Sequence, residues 1–172
     1  MNLYFRLLMI LIKSMFAPRT GLLDGGRTGF RVWPFDCDVN FHLTNARYFA
    51  FCDLGRIYYL GQVGLLFEMI KRKWLPVVQA QEVSYIRPMK PFQRFDVSTE
   101  LSYWDDKYWY TTHQFIADGQ LYAVLQVRGV FVHGKNIIPS AELLALTGKD
   151  VPLPDKPDTV AHWQRLIDSR KQ

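Results

Sequence analysis

The sequence predicts an α+β fold in which one long buried helix lies across an antiparallel sheet. Three observations carry this. Residues 45–67 hold apolar side chains at Tyr48, Phe49, Phe51, Cys52, Tyr58, Tyr59, Leu60 and Val63, which cover more than one helical face. After Pro76 the apolar period changes from helical to two, through "VVQAQEVSYIRP", "FDVSTELSYW", "KYWYTTHQFIA" and "LYAVLQVRGVFV". The last two runs meet at Asp118-Gly119, a strong hairpin signal.

The elements follow in order. Leu7 to Ile12 form an apolar block bracketed by Arg6 and Lys13. It is too short to span a bilayer, and no small-x-small cleavage site follows it. As a helix it is apolar round most of its circumference, so it must pack on the domain, on a partner subunit or in a lipid interface. The flanking cations suit anionic headgroups. We expect a helix packed on the domain, with at most peripheral membrane contact through residues 1–16. The expected location is cytoplasmic, at most peripheral at the inner membrane face. "DGGRTG", Asp24 to Gly29, reads as a turn cluster, and "FRVWPFDCD" as a strand running into a loop with Pro34 near its end. Thr44 or Asn45 can cap the long helix. Gly55, Gly61 and Gly64 weaken it locally, as expected where something packs closely. Phe95, Val97, Thr99, Leu101 and Tyr103 alternate onto one side of their strand, and Asp105-Asp106 marks the next turn. "IPSAELLALTG" predicts a short helix capped by Ser140, and a Pro-rich linker leads to a terminal helix. Strand, buried helix and meander in this order are the layout of a hotdog fold, which by itself carries no activity.

At 172 residues one domain is expected, and 49% hydrophobic and 15% aromatic residues supply a packed core. The net charge of +5 is spread along the chain, with one tight cluster at Lys71 to Lys73. That cluster could meet the phosphates of a nucleotide-tailed cofactor, an acidic protein or a lipid surface, and a solvated loop accounts for it better. No nucleic-acid module is visible, and no nucleic-acid partner is expected. Cys37 and Cys52 read as free thiols of a reducing compartment, and neither has metal-ligand spacing with a histidine, so no metal and no cofactor is expected.

The stretch "DCDVNFHLTNARYF", residues 36–49, holds two acids, two amides and a histidine before an apolar run. A turn alone does not need so many kinds of polar group. Within it Asp38, His42, Asn45, Ala46, Arg47 and Tyr48 resemble the signature D-x-x-x-H-(V/M)-N-N-A-R-Y of hotdog acyl-CoA thioesterases of the 4-hydroxybenzoyl-CoA type. "WDDKYWY" (Trp104 to Tyr110) and His162-Trp163 look like a branch of the superfamily also found in animals. Thr44 stands where the family has the first of two asparagines. Ala50 replaces an acid often found on the helix, while Asp53 keeps a second acidic position one turn on. The resemblance implies acyl-CoA or acyl-carrier thioester hydrolysis, a homodimer or tetramer, and a site at a subunit interface. It divides the chain into an N-terminal apolar segment, 1–24, a hotdog thioesterase domain, 25–137, and a C-terminal helical extension, 138–172.

Thioester hydrolysis needs an activated water or an attacking carboxylate, and donors for the developing oxyanion. The resemblance makes Asp38 the carboxylate. The amides at the helix start lack intrahelical acceptors and favour negative charge. His42 and Asn45 then orient the loop or the acyl carbonyl. Each has a plainer reading, as a cap, a loop brace or a hydrogen-bonder. Asp36 reads as a loop residue rather than the base, and Asp53 as the partner of Arg56. Tyr48, Tyr58 and Tyr59 read as core, and His113 and His133 as structural. Two rivals stand beside hydrolysis. One is a non-catalytic acyl-binding or scaffolding protein. The other is an enoyl-thioester hydratase, whose motif D-x-N-P-x-H has one residue more between acid and histidine and a proline this chain lacks.

Overall fold

A helix of 19 residues, α2 (Asn45–Val63), is the axis of the molecule. The computed structural model describes residues 3–148 and 150–170. Around α2 stand α1 (Leu3–Met15), β1 (Gly26–Arg31), α3 (Leu65–Arg72), β2 (Leu75–Tyr85), β3 (Arg94–Trp104), β4 (Trp109–Ala117), β5 (Gln120–His133), β6 (Asn136–Ile138), α4 (Ser140–Ala145) and α5 (Asp158–Ser169). The five long strands form an antiparallel sheet in the order β1-β3-β4-β5-β2, and β6 pairs with β5. Inward-facing Phe95, Val97, Phe115, Leu125 and Val127 meet Tyr48, Phe51, Cys52 and Leu54 of α2 in one core. Phe51 stands edge-on to Phe95 with ring centres 5.0 Å apart, a favoured aromatic geometry. This is the expected hotdog arrangement. Tyr48, Tyr58 and Tyr59 are buried in it.

The structure corrects several boundaries. The helix expected to reach residue 67 is broken at Gly64, whose φ of 90° only glycine adopts readily. Its N–H donates to the carbonyls of Leu60 and Gly61, which ends α2, and the chain restarts as α3. The expected turn over Asp24 to Gly29 holds only at its start. Gly26 to Gly29 pair with Thr99 to Asp96 as the edge strand β1, because ladder bonds outweigh local turn preference. That strand ends at Arg31, and Pro34–Asp36 form a turn of 3-10 helix. A bulge between Leu101 and Tyr103 reverses the expected alternation. Tyr103 faces Tyr110 and α5, while Trp104 is buried and stacked on Trp109. Thr44 occupies the N-cap of α2 without a side-chain capping bond. Pro139, not Ser140, caps α4. Ser140 is its first residue, and its N–H donates to the carbonyl of Asp106 at 3.0 Å.

Helix α1 packs on α2 through Arg6, Ile10 and Ser14, all buried. Its other side leaves Tyr4, Phe5, Leu8, Met9, Ile12 and Met15 exposed. Met1 and Asn2 lie outside the described residues, as do Lys149, Lys171 and Gln172. No described helix is long and apolar enough to cross a membrane. Helix α5 covers the opposite face of the sheet, where Val160, Trp163 and Ile167 pack on Tyr110.

Candidate active site

The loop between β1 and α2 closes on itself. Cys37 pairs with Leu43. Within that bridge Asp38 N–H donates to His42 O at 2.8 Å, and Phe41 N–H donates to Asp38 O at 3.1 Å. Phe41 takes a φ of 56° to complete the turn. The Asp38 carboxylate reinforces it, since Oδ1 accepts the N–H groups of Asn40 at 2.9 Å and His42 at 3.2 Å. This is the local bonding that suits Asp to turns. Among the described residues Oδ2 takes no such bond, so one oxygen holds the loop and the other is left for water. Leu43 N–H donates to Met89 O at 2.9 Å and ties the loop to the segment after β2.

Asp38, His42 and Asn45 line one cleft of about 340 Å³. The motif groups these three in the sequence. The opposite wall, Tyr85, Ile86, Arg87 and Pro88, reads in the sequence only as the end of a strand. Nothing local marks them, because β2 runs the length of the sheet's edge before delivering them. Arg87 is held there by a 2.6 Å bond from its guanidinium to Leu121 O. Tyr48 forms part of the floor, and burial pushes its phenol up to about 12, with the Tyr85 hydroxyl adding to the shift, so it stays a neutral donor. Asn45, the first residue of α2, borders the same cleft. Arg47 N–H is taken by Thr44 O at 2.9 Å. The amides of Asn45 and Ala46 are then the first-turn donors without an intrahelical acceptor.

Asp36 differs from the loop residue expected. Its carboxylate is fully buried, takes both guanidinium nitrogens of Arg6 and sits 3.2 Å from Arg47 Nε. Asp53 does pair with Arg56 and does not line the cleft. His113 is buried between Thr99 and Thr111, as a structural histidine. Neither cysteine offers a thiolate nucleophile. Burial raises the Cys37 thiol, with the Asp36 and Asp38 charges adding to it, and burial pushes Cys52 up to about 12. A larger groove of about 990 Å³ runs between α1, β1, β3 and the β4–β5 turn. It holds none of the three motif residues, and its one strand acid, Asp96, is bound to Arg27. The three motif residues converge only in the smaller cleft among the described pockets.

The profile of the thioesterase-like superfamily matches residues 32–164, from the start of the site loop into α5. The chain belongs to the thioesterase-like superfamily. Membership makes it a thioester hydrolase by class. It is 27% identical to Protein THEM6 of Xenopus laevis over 173 residues, a match covering 98% of this chain and 82% of that protein. It is 29% identical over 119 residues to a probable thioesterase of Saccharomyces cerevisiae, covering 67% of this chain and 51% of that one. Among solved structures, the probable thioesterase YbaW of Escherichia coli superposes with a TM-score of 0.65 at 21% identity, over 71% of this chain and 95% of that one. The superfamily's hotdog architecture and the fold seen here agree.

Proposed function

We propose that this thioesterase-superfamily member hydrolyses an acyl-CoA or acyl-carrier thioester with Asp38 as general base. The observation that carries the reading is the convergence of Asp38, His42 and Asn45 on one cleft at the start of α2. Water held by Asp38 Oδ2 attacks the thioester carbonyl and gives its proton to the carboxylate. The amides of Asn45 and Ala46, at the positive end of α2, receive the oxyanion. Collapse expels the thiolate, which takes the proton from Asp38. His42 and Asn45 orient the loop and the carbonyl. The sequence is served by this chain's own groups without a metal or cofactor. Release of free thiol from acyl-CoAs of graded chain length and from an aryl-CoA tests it and ranks the substrates. Binding without thiol release across that panel would instead support the acyl-binding scaffold.

The same reading includes a homodimer or tetramer built on β2. This strand of 11 residues forms an edge of the sheet and exposes Leu75, Val77, Val78 and Tyr85. An apolar free edge favours pairing with a second copy. Tyr85 lies on that edge and in the cleft at once, so a partner across it would border the site. The exposed apolar side of α1 supports peripheral contact with a lipid surface, at the cytoplasmic face of a membrane. Flotation of the full chain with anionic vesicles, dissociable by salt, tests that contact. Failure to float would remove it.

A further inference from the structure

Arg6 of α1 and Asp36 are thirty residues apart and both lie inside the protein, with side chains 4% and 0% exposed. The two terminal guanidinium nitrogens of Arg6 stand 3.0 and 2.5 Å from the two carboxylate oxygens. Nothing about docking an apolar helix requires a buried cation, and burying one is costly unless it is fully bonded. Its placement therefore asks for a reason.

Asp36 supplies one. Its backbone carbonyl accepts Thr44 N–H at 3.0 Å, so the two feet of the 37–43 loop meet at this residue. Its carboxylate also accepts Trp33 N–H at 3.0 Å, just upstream of the loop. Arg47 Nε, in the first turn of α2, lies 3.2 Å from Oδ1. One buried carboxylate thus joins α1, the loop carrying Asp38 and His42, and the helix end that borders the cleft. Arg47 remains 28% exposed, so Arg6 is the partner that neutralises Asp36 away from water. The Arg6 guanidinium also lies 4.6 Å from the centre of the Phe51 ring, which fixes it from behind.

We infer that Arg6 is a positioning residue of the active site, acting through Asp36 to set the Asp38 loop against the start of α2. Helix α1 is then a working part of the site. The kinetic consequence rests on the hydrolase reading, while the structural one does not.

The test uses the full chain as Arg6→Met, Arg6→Lys, Lys13→Met and the pair Arg6→Met with Asp36→Asn. Lys13 is the control, since it ties α1 to Thr28 Oγ1 at 2.9 Å without touching the loop. Amide exchange at Leu43 and Thr44 is measured beside kcat and KM. In Arg6→Met these two amides should exchange about tenfold faster relative to β4 amides. Its kcat should fall by about tenfold or more with KM little changed, as misplacement of a reacting group does. Arg6→Lys keeps the charge, folds, and recovers part of kcat but not all, because one ammonium cannot replace the two-pronged contact. The double variant regains melting temperature but not kcat. Lys13→Met lowers melting temperature and leaves kcat near wild type. Unchanged exchange at Thr44 in Arg6→Met would overturn the inference, as would full recovery of kcat in the double variant or an equal kcat loss in Lys13→Met. Absence of hydrolysis by the wild type would sink the hydrolase reading alone, with the exchange data still deciding the role of Arg6.

Discussion

Asp36 and Asp38 stand two residues apart and meet opposite surroundings. Asp38 is exposed on a tight loop with one oxygen committed to loop amides. Asp36 is buried between two guanidinium groups. The sequence distinguished them only through the motif, which includes Asp38 and leaves Asp36 out. The role of Asp36 was hidden because its main partner, Arg6, lies in another element, and no local spacing marks that pairing. His113 is another buried titratable group with a consequence. Burial pushes its imidazole well below the ordinary value, and the Arg56 cation adds to the shift. The unfolded chain therefore takes up a proton near pH 6.5 that the folded chain refuses. Stability is full above that pH and falls below it by up to about 1.4 kcal/mol per pH unit until the folded group titrates. Thermal melts from pH 7 down to pH 5 should show this slope. His113→Asn, which keeps a polar partner for Thr99, should flatten it, and an unchanged slope would remove His113 from the account.

At the scale of elements, the contact of α1 with α2 depends on small residues. A Cβ at Gly61 would stand 2.5 Å from Ser14 Cβ, so Gly61→Ala must push α1 outward. Overpacking of this kind costs about 1–3 kcal/mol, against about 1 kcal/mol gained from alanine's helix propensity. The net result should be a lower melting temperature, restored by Ser14→Gly on the same chain. A stabilised Gly61→Ala variant would mean that the two helices are not so closely seated. Strand β2 makes a second prediction. Light scattering should find a stable dimer or larger assembly, and Leu75→Lys with Val77→Lys, both on exposed positions, should shift it towards monomer, since lysines on an edge oppose strand addition. A monomeric wild type would contradict pairing through β2. The existence of nearly every element was legible in the apolar periods. The end of α2 at Gly64 and the bulge after Leu101 were not, because a helix break and a register shift are fixed by packing across the core.

For the molecule as a whole, the sheet and α2 place three polar groups from one short segment against a wall delivered by β2. The segment was readable because its residues are contiguous. The wall was not, because strand order brings it there. In the proposed mechanism this cleft hydrolyses thioesters through Asp38. That mechanism is tested most directly by thiol release from the best acyl-CoA substrate, comparing the wild type with Asp38→Asn at matched folded concentration. Asparagine keeps an oxygen for the loop amides of Asn40 and His42 and cannot take the proton of water. Asp38→Asn should lose about 100-fold or more in kcat, the scale of a lost general base, with the melting temperature within a degree or two of wild type. Asp38→Asn turning over the thioester at the wild-type rate would contradict the mechanism.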